Sequence, residues 1–372
     1  MSRLALEKHC WAEIDLTALR SNFEYIHRAV GGDICAVVKA DAYGHGAAVL
    51  MRRLFSHGIR YFGVANIGEA MELRRTFHRG NILVLGYTPP HLMHYASDYG
   101  VALTVFTEEQ AEALNKVGQP ASIHIKLNTG LNRLGFGTDA QAAKAIARIA
   151  KMENITIEGI FSHLAQGSKE DDMHQYEVFT AMTGMLESMG VNVGHRHISD
   201  GIALGKYEGM HLDMVRPGAM FYGYGSGVKP IMSLKSQIIH IHKVPAGEGI
   251  SYGLTDRADH DRIIATLPYG YSDGVPRLLS QGRGHVTIKG KKAPYVGVLC
   301  MDMCMVDISD IEGLKVGDEV TVFGSGENDF TFTQAAEACG VNVNSLTSGI
   351  ARRVPRVYFE KGKEVMFTDY LF

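Results

Sequence analysis

Eight short apolar runs, separated by segments of helical period, restrict this chain to very few folds. The runs fall at 34–39, 61–66, 81–86, 102–106, 122–128, 155–163, 195–199 and 213–222, and most do not alternate apolar with polar residues. Strands buried on both faces read this way; strands with one wet face do not. Between most of the runs, apolar residues recur at helical spacing over 47–57, 67–77, 89–99, 107–117, 139–152 and 169–189. The link at 201–209 has room for only a short helix. A further helix is expected over 16–30, with Leu16, Leu19, Phe23, Ile26 and Val30 on one face, Asp15 or Thr17 as its cap and Gly31-Gly32 at its end. Repeated strand–helix units predict an α/β fold, a closed parallel (β/α)8 barrel of TIM type. An open doubly wound sheet is the alternative, but no Gly-x-Gly-x-x-Gly fingerprint follows the first run.

The pattern changes near Pro230. Strands are expected at 236–243, 262–267, 285–288, 295–299, 303–308 and 319–323, with one helix at 333–339 and a last strand at 356–359. The 372 residues are long for one core. The division expected is a barrel over 1–229 and a mostly β domain over 230–372. A net charge of −3 with no concentrated basic face argues against nucleic acid. Five scattered cysteines, an odd number, point to free thiols in a reducing compartment. The charged N-terminus has no signal-peptide core, and no run reaches membrane-spanning length, so a cytoplasmic protein with no membrane partner is expected.

The chemistry starts at Ala36-Val-Val-Lys-Ala-Asp-Ala-Tyr-Gly-His-Gly46. An apolar strand delivers Lys39 to the point where the strand stops. Removing an amine from water favours its neutral form, which is a nucleophile able to condense with an aldehyde. The bland alternative is a solvated lysine just past a strand. Barrel enzymes carry their sites at the C-terminal ends of the strands. That rule gathers Lys39, Lys126 with Asn128 and nearby Arg133, His163, His197 with Ser199 and Asp200, and Arg216 to Gly218 on one rim. The loops after strands seven and eight, with Gly201 and Gly218, are where barrels commonly hold phosphate.

Lys-Ala-Asp-Ala-Tyr-Gly-His-Gly after an apolar strand resembles the cofactor-lysine signature of the alanine racemases, pyridoxal-phosphate enzymes built from a barrel and a β domain. The likeness continues through most of the chain, in Ile250-Ser-Tyr-Gly253, Pro268-Tyr-Gly-Tyr-Ser-Asp-Gly274, Val298-Leu-Cys-Met-Asp-Met303 and Arg352-Arg-Val-Pro-Arg-Val-Tyr358. The resemblance implies a racemase that interconverts L- and D-alanine and supplies D-alanine for peptidoglycan. It implies two bases, Lys39 and Tyr252, on opposite faces of the α-carbon. It places Tyr43, Gly218 and Ala219 at the cofactor phosphate, where the barrel-loop rule also puts Ser199 and Gly201, Arg216 at the pyridine nitrogen, His163 beside the ring with His197 behind it, and Arg133 at the phenolic oxygen and near the substrate carboxylate. Arg216 there would donate a hydrogen bond without protonating the ring, which disfavours transamination. Tyr271 would line the entrance, and Met301, with Asp302 beside it, would meet the substrate carboxylate. The lysine matching Lys126 can carry a carbamate that orients the arginine matching Arg133; an unmodified lysine paired elsewhere stays open. A homodimer in which the second domain of one copy completes the barrel site of the other is also implied.

Two places depart from the family. Asp200-Gly201 stands where Asn-Ser is usual, so no serine hydroxyl reaches phosphate there. Arg352 stands where a tyrosine usually sizes the substrate pocket, which keeps serine or a broader set of amino acids open as substrates. Two other classes remain. His195-Arg-His197 could belong to a metal-dependent hydrolase, although such enzymes place that motif on the first strand; no metal is expected. A non-catalytic carrier of the cofactor would lack Tyr252 and the second domain.

Overall fold

The computed structural model describes residues 9–207 and 209–371. They form two compact units: one holds Arg20–Ala42 and Ala47–Lys229, the other Tyr43–Gly46, Pro230–Phe372 and the described part of Met1–Leu19.

The first unit is the parallel barrel. Its strands are β1 (Asp33–Val37), β2 (Tyr61–Val64), β3 (Asn81–Val84), β4 (Val101–Val105), β5 (Ala121–Lys126), β6 (Ile155–Phe161), β7 (His195–His197) and β8 (Met214–Val215). Neighbours pair in sequence order from β1 to β7, and β8 pairs with β1. Single bonds join β7 to β8: Asp213 N–H to the Arg196 carbonyl (3.1 Å) and Arg216 N–H to that of Ser199 (3.0 Å). β4 is buried throughout, as a strand covered on both faces must be. The crossover helices start on side-chain caps. Asn66, Thr107, Asp139 and Ser168 each accept a backbone N–H, with full capping boxes at Thr107 and Ser168.

Two expected elements come out differently. The eighth strand was expected over 213–222 but stops at Val215. Pro217 has no N–H to give a ladder, and Gly218 to Tyr222 instead form tight turns, with Phe221 N–H on the Gly218 carbonyl and Tyr222 N–H on that of Ala219. The helix expected over 89–99 is broken into Pro90–Leu92 and Tyr95–Tyr99, since Pro89 and Pro90 allow only a short 3₁₀ turn at its start.

The second unit is built on a ten-stranded sheet. Its spatial order is His240–Val244, Arg262–Leu267, Cys304–Asp307, Lys291–Val296, His285–Ile288, Glu319–Phe323, Met232–Gln237, Cys10–Asp15, Arg356–Glu360 and Lys363–Thr368. Cys10–Asp15, absent from the sequence reading, lies between Met232–Gln237 and Arg356–Glu360. A second helix, Val343–Ser348, follows Phe332–Cys339. All five cysteines are free thiols. Among the described residues no helix is long and apolar enough to cross a membrane.

Candidate active site

β1 ends at Val37, and Lys39 opens a turn of the wrong hand. Ala40, Asp41, Ala42 and Tyr43 all have φ between 51° and 54°, the left-handed region. Each such non-glycine residue costs roughly 1–2 kcal/mol. Three bonds brace the turn from the barrel side: Ala42 N–H to the Val38 carbonyl, Ala40 N–H to Glu69 Oε1 and Ala47 N–H to Asp41 Oδ1. The Lys39 amine is held below its ordinary proton affinity, first by burial and then by the charge of Arg133.

Around it the barrel rim collects cations. Lys126, the last residue of β5, is buried and donates to the Leu127 carbonyl (2.7 Å) and Ser162 Oγ (3.3 Å). Burial, then Arg216 and Arg133, push its amine down to about 7. Arg133 is exposed in the loop after β5, and its charge also reaches His163 and Arg216. His163 lies 3.9 Å from Asp200, but burial and the surrounding cations push it down to about 3, so the contact is not an ion pair near neutral pH.

Arg216 follows β8 and is almost fully buried. Its Nη1 donates to His197 Nδ1 (2.7 Å), and its Nη2 donates to the carbonyls of Ser162 (2.7 Å) and Ile198 (3.0 Å). Those bonds use three of the five guanidinium N–H groups. Nε–H and the second Nη1–H have no acceptor among the described residues. Phe161 stacks flat on His197 at 4.9 Å.

The loops after β7 and β8 differ in what they offer. Ser199 is fully buried, and its hydroxyl donates to the Met210 carbonyl at 2.6 Å. Asp200 caps the helix Gly201–Lys206 by accepting from Ile202 and Ala203 N–H, and it takes a bond from Gln166 Nε2 (2.6 Å). A Cβ on Gly201 would lie 3.1 Å from Met220 Cγ. Gly201 follows an isolated parallel bridge between Asp200 and Arg216, while the backbone N–H groups of Gly218 and Ala219 have no acceptor among the described residues.

The remaining candidates belong to the second unit. Tyr43 leads into Gly44–Gly46; its carbonyl is 2.9 Å from His45 Nδ1. Tyr252 opens a 3₁₀ turn behind Ser251, whose φ of 64° is anchored by Ser251 Oγ on the Val298 carbonyl (2.6 Å). Tyr252 is 71% exposed. Tyr271 and Met301 are also exposed, and the Met301 N–H has no acceptor among the described residues. Asp302 is paired with Arg353 (2.7 Å), which also grips Asp273 in a fork. Arg352 lies over the ring of Tyr370 at 4.4 Å.

Two contributors escaped the sequence reading, His124 and Phe161. His124 carried a signal: it sits two residues before Lys126 on one strand, hence on the same strand face. The His195-Arg-His197 motif makes no chelate. Both ring nitrogens of His197 are engaged, by Arg216 and His124, and no cluster of three metal-ligating side chains exists among the described residues.

Comparison with known proteins covers nearly the whole chain. Residues 14–226 match the family described as alanine racemase, N-terminal domain, and residues 231–358 match alanine racemase, C-terminal domain. The alanine racemase of Clostridium tetani is 39% identical, covering 97% of this chain and 98% of that protein. The solved structure of a Clostridium difficile alanine racemase superposes with a TM-score of 0.95 at 35% identity over all of both chains. An alanine racemase of Bacillus anthracis with bound L-Ala-P gives a TM-score of 0.93 at 30% identity, covering 98% of this chain and 99% of that one.

Proposed function

This chain belongs to the alanine racemase family, and from that premise we propose that it interconverts L- and D-alanine with pyridoxal phosphate, using Lys39 and Tyr252 as the two proton carriers. One observation carries the reading: a lysine of lowered proton affinity shares a barrel rim with an arginine that still has N–H groups to give. Bound there, pyridoxal phosphate supplies an aldehyde for a lysine amine and an electron sink for the α-carbon of an amino acid.

The residues present fit that group. Gly218 and Ala219 offer unpaired backbone N–H groups of the kind a phosphate takes. Arg216 can donate to an acceptor nitrogen without surrendering a proton. Arg133, exposed and cationic, suits the phenolic oxygen and the substrate carboxylate. His163, held neutral by burial and the surrounding cations, would stand beside the ring. Met301 offers its N–H to the carboxylate, with Asp302 held beside it by Arg353, and Tyr271 lines the entrance. A neutral Lys126 amine is the form that adds carbon dioxide, giving an anion for Arg133; electron density at Nζ reads this directly.

Lys39 Nζ moves the proton on one face of the α-carbon and Tyr252 Oη on the other. We place Tyr252 in the rim of a partner copy within a homodimer, which accounts for an exposed phenol on an anchored turn. The second domain, matched over 231–358, speaks against a bare carrier. With free thiols throughout, the reading is a cytoplasmic enzyme providing D-alanine for peptidoglycan.

Borohydride treatment of the holoenzyme is expected to fix cofactor to Lys39. Covalent label on a Lys39→Ala chain would remove that assignment. Tyr252→Phe is expected to keep the visible absorbance and lose most turnover; equal turnover would sink the two-carrier account. Rates with L-alanine and L-serine, read as D-isomer formed, decide the substrate.

A further inference from the structure

β5 and β6 slip against each other at one point. Ile123 pairs with Ile157, but His124 pairs with Gly159, leaving Glu158 over as a bulge. A Cβ on Gly159 would sit 2.4 Å from His124 Nδ1, so only glycine leaves room for this ring. The ring is buried, and its Nδ1 is 2.9 Å from His197 Nε2.

The proton in that bond can be placed. Arg216 only donates, so His197 Nδ1 must accept from it. A neutral imidazole has one donor nitrogen and one acceptor nitrogen. His197 Nε2 therefore carries the hydrogen and donates it to His124 Nδ1, and the hydrogen of His124 lies on Nε2. If His197 took the other tautomer, its Nδ1–H would face an Arg216 N–H across 2.7 Å. Burial holds both rings neutral, with His124 pushed down to about 3.

We propose that His124 is a positioning residue: by accepting from His197 Nε2 it fixes the His197 tautomer and thereby the aim of Arg216. This deepens the placement of Arg216 proposed above and rests on it. His124 acts as the third member of an orienting chain, and it does so without charge.

The direct test uses the unaltered holoenzyme. Neutron diffraction, or ¹⁵N NMR of histidine-labelled protein, should find hydrogen on His197 Nε2 and none on Nδ1. Hydrogen on Nδ1, or on both nitrogens, overturns the proposal. The second test compares His124→Leu with His124→Asn, whose Oδ1 replaces the acceptor. His124→Leu should lower kcat by about 10- to 100-fold with KM within about twofold, the scale usual for a lost orienting partner. His124→Asn should recover to within about threefold of the parent. Packing alone predicts the opposite order, because leucine suits a buried site better than asparagine; that order, or equal rates in all three, overturns the proposal. An Arg216→Gln control separates the two layers. If it leaves kcat unchanged, the placement of Arg216 fails; if it matters while His124→Leu does not, only the role of His124 fails.

Discussion

Arg356 should be the most sensitive residue outside the barrel. It is fully buried. Its Nε donates to the Gly44 carbonyl at 3.0 Å, its Nη1 to those of Ala351 and Val354, and its Nη2 to that of Ile350 at 2.9 Å. Gly44 directly follows the four left-handed residues, whose combined strain is about 4–8 kcal/mol. In Arg356→Lys a single ammonium replaces a planar fork and cannot reach Gly44 and the Ile350–Val354 carbonyls together. At least two charge-assisted bonds are lost, each worth about 1.5–3 kcal/mol, so a loss of about 3–6 kcal/mol is expected. Tyr358→Phe removes a 3.3 Å bond to the His45 carbonyl and a 3.4 Å bond with Thr368 Oγ1, neither charge-assisted, and should cost about 1–3 kcal/mol. Urea denaturation followed by circular dichroism, at one fixed protein concentration, measures both. An Arg356→Lys protein within about 1 kcal/mol of the parent would refute the view that this fork restrains the loop carrying Tyr43.

Lys126 gives a pH signature. Its native proton affinity lies at about 7, so above that point the unfolded chain binds the proton and the native one does not. The penalty for burying it is full below about 7 and fades as pH rises toward the ordinary lysine value. Lys126→Met should therefore gain stability most at neutral pH and less in alkaline, carbon dioxide-free buffer; a gain independent of pH would contradict this. Mixing inactive Lys39→Ala and Tyr252→Phe proteins under subunit exchange should restore about a quarter of parental activity, since half the dimers then own one intact site. No recovery would contradict sites shared between copies. Arg352→Tyr should move the L-alanine to L-serine rate ratio toward alanine by about 10-fold or more, the worth of one small group in a pocket. An unchanged ratio would remove Arg352 from the pocket wall.

The parts legible in sequence were those whose signal is local. Unalternating apolar runs marked the barrel strands, because burial on both faces leaves no polar positions to mark. The polar residues ending those runs gave Lys39, Lys126, His163 and Arg216. What failed was set by distant partners. Cys10–Asp15 looks like a lead-in to a helix, and only its pairing with Met232–Gln237 and Arg356–Glu360 makes it a strand. The bond from the Ser199 hydroxyl to the Met210 carbonyl, eleven residues on, was likewise out of reach of a local reading. The left-handed run at Ala40–Tyr43 contradicts every local preference of its residues. Places where local preference is overruled are where a fold spends stability on geometry.

The neutrality of the histidine chain leads to a last prediction. Orienting groups behind a histidine are commonly carboxylates, which stabilise the imidazolium. Behind Arg216 that choice works in reverse. In a His124→Asp protein the negative charge would raise the proton affinity of His197. A protonated His197 carries hydrogen on Nδ1, facing the Arg216 N–H that now stands 2.7 Å away with nothing to accept it. The guanidinium must then turn, or one of the two must lose its proton. Activity of His124→Asp should therefore fall on the acid side of the profile and recover as pH rises and His197 is again neutral. His124→Asn, with an acceptor but no charge, should follow the parent profile. Identical profiles for the two variants would mean that the acceptor matters only for its shape. A loss in His124→Asp that deepens with rising pH would mean that the hydrogen of the His124–His197 bond has been placed on the wrong ring.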